Sequence, residues 1–191
     1  FLDLLEGLPS ETATPGTNLL RNPGFERFKG AAETPYLHDD ERASSRGVAA
    51  DWLVIPGSQA IVTSISKEAA EGKVSQRVDV QAVRPDRQTP HVAFTQSQAR
   101  LRLKGNTQYE LAAWVKGRGV ASLSVVLNDG ESRALGPKVV LTDTWQRVQM
   151  AFATPKRVRN IRELIRFGED GVALEPGGVA EGDWSLIDGF S

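Results

Sequence analysis

From about Ile61 onward, apolar residues recur at every second position in short runs separated by turn-forming clusters. Tyr109, Leu111, Ala113 and Val115 alternate with Glu110, Ala112, Trp114 and Lys116, and the same period runs through Leu123, Val125 and Leu127, through Val148, Met150 and Phe152, and through Val78 and Val80. Side chains of a strand point to opposite faces in turn, so each row marks a strand with one face in the core. Strands are predicted over Ala60 to Ser66, Val74 to Val83, His91 to Leu103, Tyr109 to Lys116, Ala121 to Leu127, Lys138 to Leu141, Trp145 to Thr154, Ile161 to Phe167 and Trp184 to Phe190. Many short strands at this spacing, without a long amphipathic helix, predict an all-β sandwich or barrel.

The turns follow from chemistry. Lys104-Gly105-Asn106-Thr107, Gly117-Arg118-Gly119 and Asn128-Asp129-Gly130 carry residues that accept positive φ, and each is expected to make a tight connection between strands. Asn22-Pro23-Gly24 reads as a turn inside a strand-turn-strand unit, because Pro fixes φ and Gly accepts φ > 0. Residues Ala31 to Gly47 are polar and charged, and are expected to form a long loop across one end of the sandwich. Phe1, Leu2, Leu4, Leu5 and Leu8 recur at roughly helical spacing ahead of Pro9 to Thr17, which has linker composition. Residues 1–17 are therefore expected to be a linker or the remnant of an upstream segment, and 18–191 the globular module. A chain beginning at Phe1 without Met looks trimmed from something longer.

Composition narrows the partners. The 191 residues are 40% hydrophobic, enough for one ordinary core, and 23 basic against 24 acidic residues leave a net charge of -1. Such a balance favours neither nucleic acid nor an anionic membrane, and a neutral partner is expected. No run approaches the roughly 18 apolar residues of a membrane span. Cysteine is absent, which removes disulfides and thiolate metal sites and leaves the compartment open.

No motif demands catalysis. His38 and His91 are the two histidines, and neither has the helical spacing of a zinc hydrolase. No Gly-x-Ser-x-Gly elbow or phosphate-cradling loop occurs. His38-Asp39-Asp40-Glu41 is the densest cluster of cation ligands, although contiguous charges usually face water. Lys156, Arg157, Arg159, Arg162 and Arg166 form a basic stretch, read here as a charged strand face neutralised by neighbours such as Glu163, Glu169 and Asp170. It lacks the interleaved aromatics of a nucleic-acid groove. The alternative, an enzyme acting on an acidic polysaccharide with these arginines and His38 or His91 at its site, has no recognisable nucleophile and base together.

Five segments occur together in order: Asn18 to Glu26, Glu71 to Val78, Gly105 to Lys116, Thr144-Trp145-Gln146-Arg147-Val148 with Phe152-Ala153-Thr154-Pro155, and Trp184 to Ser191. In this combination the chain resembles the carbohydrate-binding modules of families 4, 9 and 22, which share a galactose-binding-like β-jelly roll. The resemblance implies a non-catalytic module, cut from a secreted glycan-degrading enzyme and tethering it to xylan, β-glucan or a related polysaccharide. It also implies a structural calcium ion, with Glu26 and Asp188 as ligands and Glu71 as a further contributor; the second Asp common in the family is Gly189 here. A sugar needs an aromatic face for its C–H side and planar polar groups for its hydroxyls. Trp114, on the face opposite Tyr109 and Leu111, and Phe94 with Gln96, on the strand that lines the family's cleft, are the expected sugar-binding residues, with Trp52 as a wall and Arg77 as a hydroxyl partner. Trp145 and Trp184 are assigned to packing. The rival reading is a structural or interdomain jelly roll whose concave face is covered by the 31–47 loop or a neighbouring domain.

Overall fold

The computed structural model describes residues 11–12, 17–29, 47–55, 59–83, 92–96, 98–167 and 182–189. In chain order its strands are β1 (Glu11–Thr12), β2 (Phe28–Lys29), β3 (Val48–Ala49), β4 (Leu53–Ile55), β5 (Gln59–Ser66), β6 (Ser75–Val83), β7 (Val92–Thr95), β8 (Thr107–Arg118), β9 (Val120–Leu127), β10 (Ser132–Leu135), β11 (Val139–Val140), β12 (Gln146–Ala153), β13 (Ile161–Phe167) and β14 (Trp184–Asp188). They form two six-stranded sheets and a small β2–β3 ribbon.

In the first sheet β8 is flanked by β12 on one side and β14 on the other, and the order continues through β6 to β5; all these pairs are antiparallel. β1 adds a short parallel pairing, Glu11 opposite Thr107. Residues expected to be pure linker thus extend this sheet. The second sheet runs β10-β9-β13-β7-β4, with β11 also paired to β9. Val78, Leu111, Ala113, Val115, Val148, Phe152 and Ile187 from the first sheet meet Val92, Phe94, Leu123, Val125, Leu127 and Ile165 from the second. This is the two-layer solution for strands with one apolar face.

Several expectations are revised. The Gly117-Arg118-Gly119 step is not a hairpin turn, because β8 and β9 lie in different sheets and this step carries the chain between them. Gly117 has φ +149, and a Cβ there would sit 2.1 Å from the Trp184 carbonyl oxygen, so the closeness of β14 requires glycine. His91 to Leu103 is not one strand: β7 ends at Thr95 and the short helix α1 (Gln98–Leu101) follows. β13 carries irregularities between Ile161 and Ile165, which let Leu164 and Ile165 both reach the core. Asn128-Asp129-Gly130 does turn β9 back onto β10 as expected.

The Asn18 to Glu26 stretch contains no strand. Asn22 instead folds it as a tight turn, its carbonyl accepting the Phe25 N–H at 3.2 Å and its side-chain amide donating to the carbonyls of Arg27 and Ala50 at 2.8 and 2.9 Å. Phe25 is thereby driven into the core against Trp52, ring centroids 5.0 Å apart.

Candidate functional site

The outer face of the first sheet follows from register. Trp114 of β8 lies opposite Asp188 of β14, Lys116 opposite Leu186, and Arg118 opposite Trp184; on the far side of β14, Leu186 faces Arg77 and Trp184 faces Asp79. These residues therefore share one face, directed away from Val115 and Ile187. Trp114, Lys116, Trp184 and Arg77 are all half-buried, while Leu186 lies fully covered among them.

On this face Arg77, Lys116, Arg118 and the Trp114 indole each meet an acid, while Arg147 of β12, opposite Trp114, donates to the Gln149 amide oxygen at 3.0 Å. Asp79 grips Arg77 through Nε at 2.8 Å and Nη2 at 2.6 Å, and the guanidinium lies 4.7 Å from the Trp184 ring centroid. The hydrogen bond to Asp79 holds the Arg77 pKa above its ordinary value, against the opposing effect of burial. Lys116 pairs with Glu68, Arg118 approaches Asp183 at 3.8 Å, and the Trp114 indole Nε1–H donates to Glu71 Oε1 at 3.0 Å. The result is a surface with two indoles set among planar polar groups, most of its cations paired with acids. Trp184, expected only to pack a strand end, is part of it.

At one corner of this face stand Glu26, Glu71 and Asp188. Asp188 is fully buried; its Oδ2 accepts the N–H groups of Ala70 and Glu71, both at 2.8 Å, and its Oδ1 accepts that of Gly189 at 2.8 Å. Desolvation raises the Asp188 pKa, the three backbone N–H groups oppose that rise, and the nearby Glu26 charge adds to it. Glu26 Oε1 accepts the Lys73 N–H at 2.7 Å. A Cβ on Gly72 would lie 2.1 Å from that oxygen at a φ of +73, so the turn admits Glu26 because residue 72 is glycine.

The three carboxylates expected to hold calcium thus converge, but on the protein's own donors. Asp188 spends both oxygens on backbone amides, Glu26 turns one to Lys73, and Glu71 turns one to Trp114. Among the described residues, no three His, Cys, Asp or Glu side chains are grouped to hold a metal ion. In this structure both oxygens of Asp188 and one oxygen each of Glu26 and Glu71 are turned to N–H groups, which leaves no arrangement of the three around a shared centre.

The other expected sugar contacts are corrected by burial. Phe94, Gln96 and Trp52 are each 0% exposed and none belongs to the Trp114 face. Phe94 sits across from Ile165 and Val54 inside the sandwich. Gln96 binds the Arg21 backbone, accepting its N–H at 3.1 Å and donating to its carbonyl at 2.6 Å. Trp52 donates its indole N–H to the Asn22 carbonyl at 3.0 Å. A side chain without exposed surface offers a sugar nothing to stack on, so these three secure the fold.

The centre of the second sheet's outer face is covered, while Leu135 and Arg133 on its β10 edge are exposed. Ser122, Ser124, Thr95 and Arg166 are buried there; Arg166 Nε donates to Ser122 Oγ at 3.1 Å and Ser124 Oγ to Glu163 at 2.7 Å. The basic stretch is not a continuous face. Arg159 binds both oxygens of Glu131 at 2.6 Å, Arg162 binds Asp129 at 3.0 Å, and Arg166 is buried. Arg159 and Arg162 are neutralised in the way expected, though by Glu131 and Asp129 from the β9–β10 turn. His38, His91, the Asp39-Asp40-Glu41 cluster and all but Gly47 of the 31–47 loop lie outside the described residues. No helix among the described residues is long and apolar enough to cross a membrane.

No protein-family model and no curated protein matches this sequence. Solved structures do match its fold. The CBM22-2 xylan-binding domain of Paenibacillus barcinonensis Xyn10C superposes with TM-score 0.53 at 12% identity, covering 75% of this chain and 91% of that one. TmCBM61, solved with β-1,4-galactotriose, gives TM-score 0.51 at 18% identity, covering 92% and 97%. The enzymatically active domain of bacteriophage CBA120 tailspike protein 4 gives 0.53 at 11% identity, but this chain spans only 19% of its length. With its two antiparallel sheets and these neighbours, the chain has the β-sandwich jelly-roll fold of carbohydrate-binding modules.

Proposed function

We propose that this chain is a non-catalytic carbohydrate-binding module that docks a neutral polysaccharide on the outer face of its first sheet. The observation that carries the reading is the pairing on that face of half-exposed Trp114 and Trp184 with planar polar groups already fixed in orientation, Arg77 by Asp79 and the Trp114 indole by Glu71. Indoles supply an amphipathic stacking surface, and groups held before binding lose little entropy when a sugar arrives. Xylan, mixed-linkage glucan and β-1,4-galactan are the leading ligands, since the structural neighbours include a xylan-binding domain and a module solved with galactotriose. A module of this kind serves a secreted or cell-surface enzyme in the same parent chain, raising its local concentration on the glycan. Nucleic acid and membranes are not partners in this reading, because the net charge is -1 and Arg77, Lys116 and Arg118 of the face are paired with acids.

The test is affinity electrophoresis of the domain in gels containing xylan, mixed-linkage glucan, galactan, mannan or alginate, with Trp114→Ala alongside. Retardation by a neutral glycan that Trp114→Ala abolishes, while Phe94→Ala proteins that remain folded keep it, is the expected outcome. Retardation by alginate alone would oppose the neutral-glycan reading. The second reading, a structural jelly roll, is favoured by the covered centre of the second sheet's outer face. It would be supported by absence of retardation in every gel.

A further inference from the structure

The corner beside the proposed sugar face has a geometry that a metal role leaves unexplained. The segment 70–73 is tied by carboxylates to β14 and to the segment that leads into β2: Asp188 of β14 receives the N–H groups of Ala70 and Glu71, and Glu26 receives that of Lys73. These bonds fix the backbone from which the Glu71 side chain extends, and Glu71 Oε1 ends on the Trp114 indole N–H at 3.0 Å. On the other side the Gly189 backbone closes against the same pair. A Cβ at residue 189 would lie 2.8 Å from Trp114 Cδ1 and 3.0 Å from Glu71 Oε2, at a φ of +51. The indole is therefore held at its edge by a charged acceptor and by the Gly189 backbone.

We infer that Glu71, itself held by Asp188, is the positioning residue that orients Trp114 for ligand binding, and that it does so as a hydrogen-bond acceptor and not as a ligand of a cation. A half-exposed indole on a flat sheet has alternative χ1 and χ2 states, and stacking on a pyranose requires one of them. A hydrogen bond from Nε1 to this fixed acceptor oxygen selects that state before the sugar arrives. The inference rests on the proposed sugar-binding function of this face, although the anchoring itself is measurable without a sugar.

The experiment compares wild type, Glu71→Ala and Glu71→Gln, each with and without EDTA, by two readouts. The first is glycan affinity from titration calorimetry, using whichever gel polysaccharide retards the wild type. The second is the indole Nε1–H resonance of Trp114 in the ligand-free protein, assigned by its loss in Trp114→Phe. Glu71→Ala is expected to weaken binding roughly tenfold, the scale of one hydrogen bond to a charged group, and to expose the indole N–H to faster solvent exchange. Glu71→Gln keeps an acceptor oxygen and is expected to restore affinity to within about twofold, with the resonance near its wild-type position and EDTA without effect.

A Glu71→Gln protein as weak as Glu71→Ala, or a loss of affinity on adding EDTA, would overturn the inference in favour of a charge or cation role. Unchanged indole exchange in Glu71→Ala would overturn it too. If Glu71→Ala does not fold, Glu71→Gln decides by the same resonance. Should the wild type bind no glycan, the proposed function fails, while the indole readout still decides whether Glu71 anchors Trp114.

Discussion

Phe94 fills the space between Ile165 and Val54 with no exposed surface, and a ring in that position belongs to the core. Phe94→Ala should cost about 3–5 kcal/mol of unfolding free energy, from lost transfer energy plus the cavity left behind, with m unchanged in a urea titration. A loss below about 1 kcal/mol would mean that the ring is not a core residue. Trp114 is the opposite case, a large apolar side chain kept half-exposed, and its substitution should leave the urea midpoint nearly in place while abolishing glycan retardation. Gln96 belongs with Phe94. Its amide makes two bonds to the Arg21 backbone and so fixes the segment that leads into the Asn22 turn.

At the scale of elements, the turn at Asn128-Asp129-Gly130 does more than reverse the chain. Asn128 accepts the Arg159 N–H at 2.7 Å and donates to the Arg157 carbonyl at 2.7 Å, pinning the approach to β13, while Asp129 accepts from Asn160 and Arg162. The Asn160 hydrogen bond, with the Arg162 charge, holds the Asp129 pKa below its ordinary value. A carboxylate whose folded pKa is depressed contributes stability that is present above the unfolded value, about 3.9, and is lost as pH falls through the folded value. Asp129→Asn should therefore lower the urea midpoint at pH 7 by a small margin. The margin should vanish near pH 2, and one that persisted there would refute the electrostatic assignment. The ion pairs are exposed, so the effect is small.

Across the whole molecule, β14 lies between β6 and β8, and Asp188 at its end joins it to the 70–71 backbone. Removing the carboxylate leaves three part-buried backbone donors without their acceptor, so Asp188→Ala should cost about 1–3 kcal/mol. Since Asp188 is satisfied by protein N–H groups, the melting temperature should be the same in EDTA and in millimolar calcium. A calcium-dependent rise of several degrees, carried by Asp188 and Glu26, would instead assign this corner to a cation.

By itself the sequence determined an all-β architecture, sandwich or barrel, because period-2 apolar rows such as Leu111-Ala113-Val115 and Leu123-Val125-Leu127 mark strands with one face in a core. It also determined that Trp114 and Arg77 point away from the core, since alternation along a strand is local. It could not determine which strands share a sheet. Trp114 and Phe94 were both consistent with one sugar face until β8 fell in the first sheet and β7 in the second, and only the tertiary structure decides that, through pairings between residues far apart in the chain. Burial on both sides was equally invisible: Ser122 and Ser124 alternate with core residues as exposed polar positions would, yet both are covered. The destination of a carboxylate was the last thing hidden. Glu71 reads as a cation ligand or a surface charge from its neighbours in sequence, and becomes the partner of an indole because β8 and β14 bring residue 114 beside it, with Asp188 holding its backbone in place.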